Sequence, residues 1–495
     1  LFLIDIWEVH LEEENTTKNS ANDSTDNSIN LTHNSINNPS INNPPTNSIN
    51  KKRIVPWIIF LIFFAVLNET VFNVSLPKIA EQFSLTPSGV GWIMIIFLIF
   101  FGIGSTIYGR LSDMYSLKSL IILGIIIYST GSILGFVFSN NYPLILLARA
   151  IQGAGASAIP ALIFVVAARY IPEADRGKVF GLITSTVSLG IGLGPIVGGL
   201  VSGFIGWQYL FLIPLLMLIS LPFLNSALPK ESHRPGKVDV IGAILLALTI
   251  GAFVVFINLS VWYYLVAFLL LLAILIVQMR NVTDSFIQPS IFRNVKFRSG
   301  TILGFVVFSM VLGVIFIIPL MLHAVYGLDT KQIGFVLFPG AISSVIFGPI
   351  GGTLADRKGN KLVIIIGLGL LVISMIVMAV LMNLSVILIA GAMLLTYIGF
   401  ALFQTAIFNT VSQSLNNEET GAGMGLFNLI LVISGAVGIA LLGKFLSSKI
   451  STYPLLPTVT ADSYAYSNIL LLLAVIVLLA GSFYIRSKSA QELKA

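Results

Sequence analysis

From Val55 onward the chain alternates between long apolar runs and short polar breaks. A helix that crosses a hydrocarbon layer of ~30 Å needs about 20 consecutive, mainly apolar residues. Fourteen runs of that length can be laid along the sequence, at 54–75, 91–112, 119–139, 143–167, 179–203, 207–228, 239–259, 261–279, 299–322, 333–354, 361–383, 385–410, 423–446 and 466–486. The pattern predicts fourteen membrane-spanning helices, an all-α integral membrane fold.

Composition points the same way, since 56% hydrophobic and only 10% charged residues over 495 positions leave too little polar surface for a soluble protein. The basic residues sort by side. Of 27 Lys and Arg, 21 fall in breaks on one face, Lys78, Lys331, Lys444 and Lys449 lie on or near the other, Lys18 is in the tail and Arg149 is within a run. The excess of Lys and Arg marks the cytoplasmic side, so both termini are expected there. The net charge of +6 thus reflects topology and gives no reason to expect a nucleic-acid partner.

Residues 1–53 are different material, rich in Asn and Ser, with repeats such as Asn34-Ser35-Ile36-Asn37-Asn38-Pro39. They are expected to form a disordered cytoplasmic tail. Leu1-Phe2-Leu3-Ile4 is too short for a secretory core and runs into acidic residues, so no signal peptide is expected. The chain has no cysteine, which excludes disulfides and thiolate metal sites.

A short loop pattern occurs twice. Gly109-Arg110-Leu111-Ser112-Asp113 follows the second run, and Gly352-Thr353-Leu354-Ala355-Asp356-Arg357-Lys358-Gly359 follows the tenth. The repeat implies two halves of similar build, and its placement divides the spans six, two, six. The expected parts are a six-helix bundle over 54–228, an inserted hairpin over 239–279, a second six-helix bundle over 299–486 and a cytoplasmic tail over 487–495. No break is long enough to fold as an extramembrane domain, so chemistry must happen within the bilayer.

Charges inside the spans are few, with Glu69 in the first and Arg149 in the fourth as the clear cases. Charge at such depth is costly and usually functional. Each lies six or seven positions from the outer end of its span, roughly 10 Å along a helix, so the two should face each other or share a polar network. Gln152 lies one turn beyond Arg149, and Asn68 and Asn73 neighbour Glu69. Thr405, Asn409 and Gln413 form a polar stripe on span twelve beside Gln404, and Asn428 adds an amide to span thirteen. Such stripes are expected to face a cavity, for which Phe97, Phe101, Phe164, Phe338 and Phe403 are candidate walls.

In span five, Gly190, Gly194 and Gly198 recur every four residues on one face, next to Gly199, with Pro195 among them. Small residues at this spacing let a neighbouring backbone come close, and Pro195 removes a helix hydrogen bond and bends the span. Enzyme-like patterns do not hold. Gly438 to Lys444 spells the start of a phosphate loop but continues with Phe445, and His10, His33, His233 and His323 lie in tails or loops, so no metal site can be assembled within the membrane. No enzyme activity, metal or cofactor is expected.

The repeated Gly-x-Leu-x-Asp loop resembles the signature of the major facilitator superfamily, and the segments Gly190 to Gly199 and Arg149 to Gly155 resemble that family's antiporter and proton-transfer motifs. Fourteen spans are similar to its drug:proton antiporter branch. Asn68-Glu69, Asn73-Val74-Ser75-Leu76-Pro77, Ala168-Arg169-Tyr170-Ile171-Pro172 and Gly421-Ala422-Gly423-Met424 resemble tetracycline exporters of Gram-positive bacteria. The resemblance implies proton-coupled efflux of a lipophilic, drug-like compound, cations included, across the cell membrane by a monomer. The partners are then a small-molecule substrate, protons and membrane lipid, and the energy source is the proton gradient. It assigns Glu69, Arg149 and Gln152 to proton coupling, and makes Asp113 and Asp356 gating residues with Arg110, Arg176 and Arg357 as candidate partners. Those exporters carry carboxylates where this chain has Ile191 and, nearby, Gly435, which argues against metal-tetracycline export. Uptake of a small metabolite and a non-transporting sensor role stand as alternatives.

Overall fold

The computed structural model describes residues 51–229, 240–281, 289–416, 420–448, 453–457 and 459–492. The expected disorder of the Asn-rich segment through residue 50 lies outside the described residues, as do the side chains of 173–178, including Arg176. Among the described residues the chain is helical, without a β-strand. Fourteen helices are long and apolar enough to cross a membrane. We number them α1 Arg53–Gln82, α2 Pro87–Leu111, α3 Leu117–Val137, α4 Tyr142–Tyr170, α5 Val179–Phe204, α6 Trp207–Ala227, α7 Ile241–Leu259, α8 Trp262–Met279, α9 Val295–Tyr326, α10 Thr330–Lys358, α11 Asn360–Leu381, α12 Val386–Ser412, α13 Gly423–Leu446 and α14 Ala461–Arg486.

The span ends follow from local chemistry. Thr86 caps α2, its hydroxyl accepting from the Gly89 amide at 3.1 Å, with Pro87 in the first turn where its missing N–H costs nothing. At α10, Asp329 and Gln332 exchange side-chain and backbone hydrogen bonds of 2.9 Å each, a reciprocal cap that closes the turn left by Gly327, whose φ of 65° ends α9. Inside the spans, hydroxyls such as those of Thr106, Thr130 and Thr249 donate to the carbonyl one turn back. This satisfies them without water, the condition for a polar side chain in an apolar helix.

Three spans depart from the expected continuous helix: α4 is interrupted at Ser157, between Tyr142–Ala156 and Ala158–Tyr170, and α1 and α6 change their winding. α1 unwinds after Thr70, passes through a 3-10 turn at Asn73–Ser75 and resumes at Leu76–Gln82. Pro77 accounts for the break, because it offers no N–H to the carbonyl one turn before it. The first span therefore runs to Gln82 instead of 75, and Asn73 does not sit one turn above Glu69 on an unbroken helix. α6 winds as a 3-10 helix over Trp207–Ser220 before its last α-helical turns.

α1 packs on α5, and α2 on α4; in the second half α10 and α11 pack on α12, and α9 on α13. Two main pairs join the first six spans to the last six, α2 with α13 and α5 with α10, and the end of α1 also touches α9 and α10. α7 touches both α2 and α13, so the α7–α8 hairpin lies on that seam. Its outer helix is nearly bare, with 6% of the α8 core window buried against 78% for α9. An apolar helix so exposed requires lipid around it.

Glycines set the closest approaches. A Cβ at Gly190 would come within 3.2 Å of Phe63 and Val66, and at Gly194 and Gly198 it would overlap Thr70 and the Val71 carbonyl, so this face of α5 is pressed onto α1. Gly192 and Gly199 point elsewhere, toward Ala341 and Thr330 of α10, and the Pro195 carbonyl meets Gly334 there. Helix α5 is thus packed closely on two sides, through one glycine stripe to its own half and another to the opposite half.

Candidate functional site

Arg149 is the largest fully buried side chain among the described residues. α4 carries it between the rings of Phe72 and Phe97, whose centroids lie 4.4 and 4.2 Å from the guanidinium carbon. Its Nε donates to the Ile93 carbonyl at 3.2 Å and its Nη1 to Gln152 Oε1 at 3.1 Å, while Gln152 Nε2 donates to Ser132 Oγ at 2.8 Å. A guanidinium is held charged and in one pose by rings on its faces and acceptors at its edge. Its Nη2 has no partner among the described residues.

Glu69 stands two residues before the break in α1 and is half-buried. No ion pair joins it to Arg149 within 4.0 Å among the described residues; the two charges act on each other through space. Tyr128 of α3 enters the same cluster, fully buried, with its hydroxyl approaching the Asn68 amide without closing a hydrogen bond. Asn68 is also fully buried, and neither of its amide atoms has a partner. Spans one, three and four thus converge on a polar knot of Asn68, Glu69, Tyr128, Ser132, Arg149 and Gln152. Sequence reasoning missed Tyr128 and Ser132. Part of their signal was available, because the two lie one turn apart on one face, but Ser129 and Thr130 between them are polar as well, so the sequence alone did not single them out.

Of the candidate apolar walls, Phe97 serves as a plate under Arg149 and stacks on Phe101 at 5.8 Å. Phe403 is fully buried, and Phe164 stacks on Phe180.

At the first motif loop, Asp113 Oδ1 pairs with Arg169 Nη2 at 3.1 Å, and Arg169 Nη1 donates to the Ser112 carbonyl at 3.0 Å. The candidate partners Arg110 and Arg357 do not take this position. Arg169, at the end of α4, reaches it because α2 and α4 pack side by side. Asp356 and Arg357 are exposed in the last turn of α10. The second half holds its loop differently, with amides: Asn409 donates to Asn360 Oδ1 at 3.0 Å and Asn360 to Gln413 Oε1 at 3.2 Å. Asn409 is therefore committed to the loop instead of a cavity wall. Thr405 donates to the Ala401 carbonyl at 2.9 Å and packs beside Gly351 and Gly352 of α10. Gln404 and Asn428 are half-buried, without a hydrogen bond to the described residues.

The seam between the two sets of spans is asymmetric. At the end opposite the motif loops it is shut: Gly443 lies against Pro87 and Ser88, Gly203 against Lys331, Gly199 against Thr330, and Gly91 against Phe316 and Ile439. Polar contacts cross it there, from Ser88 to Ser447 at 3.4 Å and from His323 to Glu81 at 2.7 Å. Asn258 of α7 ties into the same end, accepting from Ser88 Oγ at 2.5 Å and, through its carbonyl, from Lys444 at 2.9 Å. At the motif end the helices part. Among the described residues, nothing lies within 4 Å of the Cβ position at Gly109, Gly181 or Gly425, and at Gly348 of α10 it meets Ser188 of α5 only at 3.9 Å.

A bundle of membrane spans whose halves meet at one end and part at the other, around a buried charged centre, is the build of a membrane transporter and not of an enzyme. Residues 58–439 match the profile of the Major Facilitator Superfamily, and the chain belongs to that family. It is 25% identical over 407 residues to the riboflavin transporter RibZ of Clostridioides difficile (strain 630), covering 80% of this chain and 89% of that one. It is 24% identical over 402 residues to the multidrug resistance protein Stp of Mycobacterium tuberculosis (strain CDC 1551 / Oshkosh), covering 79% and 75%. Multidrug resistance protein 3 of Bacillus subtilis (strain 168) is 27% identical over 341 residues, 66% of each chain. Among solved structures, a bacterial homolog of the human lysosomal transporter Spinster matches with a TM-score of 0.63 at 15% identity, over 88% of this chain and 96% of that one. The nucleoside transporter NupG matches with a TM-score of 0.64 at 14% identity, over 88% and 99%.

Proposed function

We propose that this transporter exports lipophilic, drug-like compounds in exchange for protons, as a monomer in the cell membrane. The observation that carries the reading is Glu69, an acid with no ion-pair partner among the described residues, placed within electrostatic reach of Arg149 where α1 breaks. A carboxylate so placed can alternate between proton and substrate, while Arg149, pinned by two rings and two acceptors, supplies a fixed opposing charge. Gln152 and Ser132 hold the arginine, and Asn68 and Tyr128 supply neutral polar groups beside the acid. Gln404 and Asn428 are the amides left to meet a substrate from the opposite side. Likeness to two multidrug resistance proteins supports a drug-like substrate.

The excess of Lys and Arg in the loops on the motif side supports a cytoplasmic motif face and cytoplasmic termini, with the parted end opening inward and the shut end facing out. Two six-helix bundles, 54–228 and 299–486, then rock about the α2–α13 and α5–α10 contacts, and the proton gradient supplies the energy without a cofactor. Asp113 and Arg169 act in gating, with Arg110, Asp356 and Arg357 nearby at the same face. Position 435 has little space for the carboxylate of metal-tetracycline exporters, since a Cβ there would overlap Leu312. A second reading, transport of a flavin-like metabolite, is favoured by the likeness to RibZ.

Everted vesicles holding this protein, with lumenal pH followed by a dye, test the proposal. Added lipophilic cations are expected to alkalinise the lumen in the parent and not in Glu69→Gln. Equal alkalinisation in Glu69→Gln would overturn the role of the acid, and a response to riboflavin alone would select the second reading.

A further inference from the structure

His323, near the end of α9, has an oxygen at each ring nitrogen. Nδ1 lies 3.0 Å from the Leu328 carbonyl and Nε2 lies 2.7 Å from Glu81 Oε1. A carbonyl and a carboxylate only accept, so both contacts are hydrogen bonds only when both nitrogens carry protons. The neutral ring has one N–H. If that proton stays on Nδ1, the Nε2 lone pair faces a carboxylate oxygen, and the contact turns repulsive. The ring is also anchored, since the Leu328 bond spans only the turn ending α9, whereas the Glu81 bond runs to α1, on the other side of the seam.

The geometry points to His323 and Glu81 as a proton-binding site that clamps the shut end of the seam, separate from the buried cluster at Glu69 and Arg149. Loading the proton completes both bonds, and losing it leaves one N–H for two acceptors, which weakens the join between the two sets of spans. The sign follows from the donors: the clamp is complete while the imidazolium persists and is lost as pH rises through its titration. The other charged groups on the packed elements are engaged elsewhere or stand clear. Lys78 donates to the Ser202 carbonyl, Asp329 caps α10, Lys331 lies 3.7 Å from the Phe204 ring centroid, and Asp462, on the turn at the start of α14, makes no contact with the ring. The Tyr326 hydroxyl donates to the Met382 carbonyl. Among the described residues, only Glu81 reaches His323 from across the seam.

The clamp itself does not depend on the substrate; its direction of use rests on the proposed export reading, in which the shut end faces the proton-rich outside. A proton arriving there would help the open transporter close again, which couples proton entry to the return step.

The absence of native cysteine makes a distance test simple. Spin labels at Phe138→Cys and Leu384→Cys, both exposed at this end at 41% and 69%, report the separation of the two sets of spans in the reconstituted full chain. Between about pH 5.5 and 8.5, which brackets an ordinary histidine, the open-to-closed ratio is expected to rise roughly threefold to fivefold in the labelled parent. The ratio should be flat in His323→Gln and in Glu81→Gln, so that misfolding of one variant leaves the other to decide. A His323→Gln response equal to the parent's, or no response in the parent, would overturn the proposal. The response should survive in Glu69→Gln. Its loss there would show that the buried acid is the sensor and sink the clamp. Retention of the response in a protein without substrate-driven proton exchange would sink the export reading and leave the clamp standing.

Discussion

Arg169 holds the end of α2 by two atoms at once, with Nη2 at 3.1 Å from Asp113 Oδ1 and Nη1 at 3.0 Å from the Ser112 carbonyl. The fork geometry of a guanidinium makes this possible, and a lysine in its place could supply charge but not both directed bonds. The contact stays within the first six spans, at the parted end of the seam.

If the clamp steadies that end while the halves are apart, its loss should alter cycling and not binding. Because both side chains are partly exposed, the pair is worth only ~0.5–1 kcal/mol. Arg169→Ala and Asp113→Asn should each change the turnover of substrate-driven proton exchange by roughly twofold to fivefold, with little change in the half-saturating substrate concentration. The double variant should match the single ones. Additive losses in a double-mutant cycle would mean that the two residues act separately.

Gln152 accepts from Arg149 and donates to Ser132, so it passes the burial of a charge on to a hydroxyl. Gln152→Leu leaves a buried guanidinium short of an acceptor and should destabilise the protein by about 1.5–3 kcal/mol. Ser132→Ala removes a neutral partner only and should cost about 1 kcal/mol. Melting in detergent, monitored with a dye, orders the two. The reverse order would show that Arg149 does not depend on Gln152.

The fourteen spans were readable from run length alone, because a bilayer demands about 20 apolar residues whatever the packing. What fell outside that reading depends on contacts between spans. Asp113 and the arginine that binds it are 56 positions apart, and nothing in the loop pattern distinguishes Arg169 from Arg110 or Arg357. Tyr128 joins the Glu69 cluster only because α3 lies against α4, where a Cβ at Gly155 would strike the Tyr128 backbone. The stripe of Thr405, Asn409 and Gln413 was visible, but its use was not: periodicity shows that polar groups share a face, and only the fold shows that this face meets Asn360. The unwinding of α1 was marked by Pro77, whose effect falls one turn earlier, near Asn73.

The glycine stripe on α5 allows a sharper stability test. At Gly194 an added methyl would overlap Thr70, so Gly194→Ala should cost about 1–3 kcal/mol through overpacking. Thr70→Ala in the same chain should return part of that loss, because it removes the hydroxyl that overlaps most but leaves the Thr70 Cβ position at 2.7 Å. Gly109→Ala meets open space and should be neutral or stabilising by up to ~1 kcal/mol, since alanine is the better helix former. Equal losses at both positions would show that backbone flexibility, and not close packing, explains these glycines.

The two ends of the α2–α13 seam should respond oppositely to substrate. At the shut end, the Ser88 amide lies 3.4 Å from Ser447 Oγ. At the other, the register set by Gly102 against Leu429 and Val432 carries α2 about seven residues, ~10 Å, further to Gly109, level with Gly425, where the helices have parted. In this cysteine-free chain, Ser88→Cys with Ser447→Cys should cross-link readily in the state described, and Gly109→Cys with Gly425→Cys should not. A substrate that drives the halves through their cycle should lower the first yield and raise the second together, because a rigid half that opens at one end closes at the other. If both yields moved in the same direction, the halves would be separating or tightening as a whole, and alternation about this seam would be wrong.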